Sequence, residues 1–165
     1  GIEPAVKLAA RNFPGGNIGV LATQVTLREE KFRLLVENCA RECNVISLPA
    51  PGLAALVEQG KANSPEAEAL LRPILEPVRE NLDALVLGCT HYPFVTRNIA
   101  SIMGPGTMLL HGGKGTARET KRRLEAAGLL REGEGSVEII SSSPNPKMIR
   151  LSHAMLEGGK LSFED

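Results

Sequence analysis

The stretch Asp83-Ala84-Leu85-Val86-Leu87-Gly88-Cys89-Thr90-His91-Tyr92-Pro93-Phe94 constrains the fold more than any other part of the chain. Ala84 to Leu87 is a continuous apolar run closed by a glycine. A run so short and without polar alternation suits a strand buried on both faces, as inside a parallel sheet. A thiol, a hydroxyl, an imidazole and a phenol follow on four consecutive residues. Pro93 suits the first turn of a helix, where its missing N–H is no loss. Cys89 is therefore expected where a central strand gives way to a helix, and in open α/β sheets ligands bind in that crevice. A thiol near a helix N-terminus has its anionic form favoured, which suits a nucleophile or base. The competing reading is a plain buried cysteine, since free cysteine is among the most buried residue types.

The rest of the chain alternates strands with helices. Gly1 to Phe13 reads as an amphipathic segment, Pro14-Gly15-Gly16-Asn17 as a turn and Ile18 to Ala22 as a buried strand. Thr26-Leu27-Arg28-Glu29 matches a capping box, so a helix is expected from there to about Glu42. Asn44 to Leu48 reads as a strand, Pro49 to Gly52 as a loop, and Leu53 to Gln59 as a short helix closed by Gly60. Ser64-Pro65 opens another helix, and Pro73 and Pro77 predict a kink or break near Arg72. A helix from Pro93 should end before Gly104-Pro105-Gly106, with a strand over Thr107 to Leu110. Thr116-Ala117-Arg118-Glu119 is a second capping box, for a helix stopping at Gly128. A charged loop, a strand over Val137 to Ser141 and a helix led by Pro144-Asn145-Pro146 complete the pattern. Such alternation implies right-handed βαβ crossovers and a parallel sheet.

Charge and cysteine content exclude several roles. Acidic and basic residues balance to a formal net charge of zero, and no Lys/Arg-rich run carries interleaved aromatics, so a nucleic-acid surface is not expected. No apolar run reaches the length of a membrane span. Three cysteines without framework spacing favour a reducing compartment, hence a cytoplasmic location. Cys39 and Cys43 stand four apart on one expected helix, but a zinc site needs about four ligands and no second pair exists, so no metal is expected. His111-Gly112-Gly113-Lys114-Gly115-Thr116 fails the phosphate-loop pattern: Met108 stands at the first glycine, and Gly115 follows the lysine where a hydroxyl should hold magnesium. It reads as a flexible Gly-rich turn. The alternating charges from Arg118 to Arg123 read as a solvated helix face.

Three segments carry a resemblance. Gly88-Cys89-Thr90-His91-Tyr92-Pro93 resembles the signature around the second catalytic cysteine of the glutamate racemases, in the aspartate/glutamate racemase superfamily. Ile18 to Thr26 resembles that family's strand-to-helix segment with two threonines three apart, and Leu56-Val57-Glu58-Gln59-Gly60 its Leu-Val-Glu-x-Gly segment. The similarity keeps order and spacing from about Gly1 to the C-terminus. The family's Asp-Ser-Gly loop and Cys-Asn-Thr segment, which belong with its first catalytic cysteine, do not occur here, and the chain opens on Gly1. The expectation is the C-terminal portion of a longer racemase.

The resemblance implies a fold and a chemistry. The fold is a parallel-sheet, three-layer α/β domain over residues 1–113, with residues 114–165 returning to a first domain that is mostly missing. The activity is cofactor-independent interconversion of L- and D-glutamate, supplying D-glutamate for peptidoglycan. Racemisation at an α-carbon removes a proton from one face and delivers one to the other, so an acid/base group is needed on each side. By resemblance Cys89 serves one face and a cysteine of the missing N-terminal half the other. His91 assists the thiol and contacts substrate, Glu58 orients His91, and Thr90, Thr23 and Thr26 bind substrate. The ordinary readings are a loop histidine, a solvated glutamate, a turn threonine and a helix cap. The resemblance further implies no metal or other cofactor, and a homodimer. The family commonly has an acidic residue near His111, and this sequence departs from it there. An aspartate or hydantoin racemase relative and a non-catalytic binding module are the alternatives.

Overall fold

Four short runs pair into one sheet: β1 (Asn17–Ala22), β2 (Asn44–Pro49), β3 (Ala84–Leu87) and β4 (Met108–His111). The computed structural model describes residues 2–142 and 146–158. The sheet order is β2-β1-β3-β4 and every neighbouring pair is parallel. The helices are α1 (Glu3–Asn12), α2 (Gln24–Arg28), α3 (Glu30–Cys39), α4 (Leu53–Glu58), α5 (Pro65–Leu75), α6 (Thr96–Met103), α7 (Gly113–Ala126) and α8 (Pro146–Gly158). The expected parallel α/β architecture is thus present.

Strand periodicity divides the core into two layers. On β1 and β3, Ile18, Val20, Ala22, Ala84 and Val86 face Ala5, Val6 and Ala9 of α1 and Phe32 of α3. The intervening residues Leu21, Leu85 and Leu87 face α4, α5 and α6 through Leu53, Val57, Leu71, Leu75 and Ile99. Both sides of β3 are apolar because both are covered. The chain runs from β1 out to β2, then returns to the other side of β1 as β3. The strand order therefore reverses between β1 and β3, and their carboxyl ends define the switch point where α/β sheets bind ligands.

Several boundaries differ from expectation. The first capping box does not form: Thr26 N–H donates to Thr23 Oγ1 at 3.3 Å, so Thr23 is the cap and α2 starts at Gln24. Glu29 then takes an extended backbone (ψ 137°), which separates α2 from α3. Since α3 ends at Cys39, Cys43 is not on the same helix. Pro73 does not break α5, which runs through it to Leu75. Its missing N–H forfeits one bond of the ladder near the end of the helix, and the buried Leu71 and Leu75 hold that turn to the core.

The second capping box is likewise interior to a helix. Thr116 N–H donates to Gly112 C=O at 2.9 Å, so the Gly-rich segment is the first turn of α7 rather than a flexible turn. β4 ends one residue later than expected, which brings His111 into the sheet opposite Leu87. Val137 to Ser141 forms no strand, and Val137 and Ile140 are 67% and 81% exposed. A strand needs a neighbour to satisfy its backbone, and no described strand lies beside this one. Ser64 caps α5 through Ala67 N–H as expected. Pro144 and Asn145, expected to lead α8, lie outside the described residues.

Candidate active site

The end of β3 is built without slack. Leu87 is in register with Leu21 of β1 and His111 of β4, and Gly88 N–H extends the ladder to Leu21 C=O at 2.8 Å. A Cβ on Gly88 would lie 2.6 Å from Ile2 Cδ1 and 2.9 Å from Ala22 Cβ, so only glycine fits. Cys89 therefore leaves a strand anchored on both sides. The following turn closes on it, with Tyr92 N–H donating to Cys89 C=O at 3.1 Å. Tyr92 to Val95 is a 3₁₀ turn, and the α-helix proper begins at Thr96.

That turn aims His91 in two directions. Its Nδ1 lies 3.5 Å from Cys89 Sγ and 3.5 Å from Thr90 Oγ1. Its Nε2 lies 3.1 Å from Glu58 Oε1 at the end of α4. An ionised carboxylate only accepts, so Nε2 carries the hydrogen; in the neutral ring Nδ1 is then the acceptor that faces the thiol. The result is a line of sulfur, imidazole and carboxylate. Cys89 is half-buried, His91 about one-third exposed by its side chain, and Glu58 open to solvent. Carboxylate, ring and thiol sit on α4 and the β3 end, held together by the core beneath them: Leu53, Val57, Leu87 and Tyr92.

Thr23 and Thr26 form a separate polar pair at the end of β1, with their hydroxyl oxygens 3.0 Å apart. Thr23 stands two residues past Leu21 and Cys89 two past its register partner Leu87, so the pair flanks the switch point. A cavity of about 690 Å³ opens beside Cys89. Cys89, Thr90, His111, Thr116, Lys121 and Leu130 are among its walls, whereas His91, Glu58, Thr23 and Thr26 are not. His111, Thr116 and Lys121 are the residues that sequence reasoning missed. The available signal was the end-of-strand position of His111. Its Nδ1 accepts the N–H of Gly113 at 3.2 Å, and burial holds its imidazole below the usual histidine range. Burial, with the Cys89 sulfur nearby, also pushes the Tyr92 phenol above its ordinary value. Cys39 and Cys43 are half-buried, and Cys43 Sγ lies 3.5 Å from Phe13 C=O. Among the described residues no group of three or more His, Cys, Asp or Glu side chains could hold a metal ion.

No family model matches the chain. It is 38% identical over 160 residues, 95% of its length, to the glutamate racemase of Clostridium botulinum. The chain is similar to glutamate racemases along nearly its whole length. It spans 62% of the length of that curated relative. The glutamate racemase of Thermus thermophilus, solved with β-chloro-D-alanine, superposes with a TM-score of 0.69 at 35% identity, covering 91% of this chain and 57% of that one. The Escherichia coli glutamate racemase, solved with L-glutamate and the activator UDP-MurNAc-Ala, gives a TM-score of 0.71 at 26% identity over 90% and 58% of the two chains. The parallel α/β fold read from the racemase resemblance is therefore the fold of this chain.

Proposed function

We propose that this chain is the C-terminal portion of a glutamate racemase and supplies one of its two proton-transfer thiols. The observation that supports it most is the Cys89–His91–Glu58 line, at 3.5 and 3.1 Å, on a rigid strand end. In this reading the Cys89 proton passes to His91 Nδ1. The thiolate takes the α-proton of one glutamate enantiomer, and a thiol on the opposite face returns a proton to the carbanion. One turnover leaves Cys89 protonated, its original proton on His91 and the opposite thiol ionised. Passing that proton from His91 through solvent to the opposite thiolate restores the start, so the cycle needs no net acid, base or electron. Glu58 holds the ring by its Nε2–H and supports the positive charge it gains. Thr90, Thr23 and Thr26 offer hydroxyls to the substrate carboxylates and ammonium group.

The second thiol belongs to a segment outside this chain. Residues 1–113 are read as the domain that carries Cys89, and residues 114–165 as the return to the domain that carries the other thiol. The exposed Leu129, Val137 and Ile140 are consistent with that return, since they have little apolar cover of their own. The whole enzyme is read as a cytoplasmic homodimer that supplies D-glutamate for peptidoglycan. The test joins this chain to a racemase N-terminal half bearing a cysteine, then assays D/L interconversion over several amino acids. Turnover of glutamate alone supports the reading. Turnover of aspartate or a hydantoin instead, or of no amino acid, removes it.

A further inference from the structure

We propose that Tyr92 is a positioning residue whose hydroxyl, through the Ala50 carbonyl, registers His91 against Glu58. The inference rests on the proton-transfer reading of Cys89. Tyr92 is wholly buried, and its hydroxyl donates to Ala50 C=O at 3.1 Å. Ala50 is also buried, and its N–H donates to Ala22 C=O at 3.1 Å. One residue thus joins three segments. Ala22 precedes Thr23, Ala50 precedes the Pro51-Gly52 turn into α4, and Tyr92 follows His91.

The geometry makes that junction a reference point for the site. α4 is only six residues long, so a shift at its start reaches Glu58 at its end. His91 is covalently next to the buried ring. The ring alone would fill the core equally well as phenylalanine, so the hydroxyl's contribution is the bond it makes. The other donor to Ala50 C=O is Leu53 N–H at 3.4 Å, a longer contact. Without the phenol the carbonyl is poorly satisfied, and the two segments holding His91 and Glu58 lose their common buried tie.

The test uses this chain as it stands. Cys89 is alkylated with iodoacetamide at pH 7 and its peptide followed by mass spectrometry, with Cys43 as the internal control. Wild type, Tyr92→Phe, Glu58→Gln, the double variant and His91→Gln are compared at matched far-UV circular dichroism. We expect Tyr92→Phe to slow Cys89 alkylation about fivefold. Cys43 should be unaffected, and the double variant no slower than Glu58→Gln alone. The ring ¹⁵N shifts of His91 should change in Tyr92→Phe. An unchanged Cys89 rate in Tyr92→Phe, or effects that multiply undiminished in the double variant, would overturn the positioning role. A wild-type rate no faster than that of His91→Gln would instead overturn the proton-transfer reading beneath it, and the inference with it.

Discussion

His91 Nε2 and Glu58 Oε1 meet at 3.1 Å across 33 residues of sequence, one on the turn after β3 and the other on the last residue of α4. The pair is too exposed for its attraction to stabilise the fold much. Its effect is expected on chemistry. Glu58→Gln keeps the shape and removes the charge that holds the imidazole. Turnover of the completed enzyme should fall about tenfold or more, part of the 10²–10⁴ that general acid–base groups contribute. The melting temperature should stay near that of wild type. Steady-state kinetics beside a thermal melt check both.

In the proposed two-thiol reaction, Cys89→Ala should abolish racemisation in the completed enzyme, because one face of the α-carbon would lose its proton carrier. Cys43→Ser should leave turnover unchanged, since that sulfur lies at the Phe13 carbonyl beside the α1/α3 core, away from Cys89. Circular dichroism of a solution of one glutamate enantiomer reads the result directly. Loss of optical activity with Cys89→Ala contradicts the two-thiol role.

Gly88→Ala should destabilise the fold by about 1–3 kcal/mol, the usual cost of overpacking. The new methyl would stand 2.9 Å from Ala22 Cβ and 2.6 Å from Ile2 Cδ1. Ile2 can move and Ala22 cannot, so adding Ile2→Ala should restore only part of the loss. Urea titration of the two variants measures it.

Thr23→Val keeps the volume and removes the oxygen that accepts Thr26 N–H. Loss of such a cap costs about 1 kcal/mol. Thr23→Ser should be close to wild type in the same urea titration. If Thr23 also binds substrate, the valine variant raises KM in the completed enzyme beyond what its stability loss explains.

Burial lowers the folded-state value of His111 below its unfolded one. The unfolded chain then binds the proton more readily. His111 contributes stability that is fully present above the ordinary histidine value of about 6.5 and is lost as pH falls from there through the folded value. Stability should therefore decline on acidification below about pH 6.5. His111→Gln should flatten that part of the curve. Denaturant midpoints between pH 7.5 and 5 give the slope.

The two central strands were readable because their residues are buried on both faces, and a buried parallel strand leaves that mark whatever surrounds it. Ile18 to Ala22 and Ala84 to Leu87 needed no further context. Helix starts were less readable. Thr23 and Thr26 both qualify as caps locally, and the choice fell to Thr23 because β1 ends at Ala22. Thr116 matched a capping box equally well, yet Gly112 and Gly113 could enter the helix because β4 delivers the chain there at His111. Val137 to Ser141 has strand composition, but a strand exists only beside another one.

The sequence by itself determined that a thiol follows a buried strand, with an imidazole two residues beyond. Those are properties of adjacent residues, and the backbone carries them into any fold of the chain. The Glu58–His91 pairing was expected only through the racemase resemblance; the tertiary structure alone decided its 3.1 Å contact, that Tyr92 bonds Ala50, and that His111 and α7 line the cavity beside the sulfur. Each of those is a contact between segments distant in sequence. Sheet order and core packing bring them together, and no local pattern of residues encodes either.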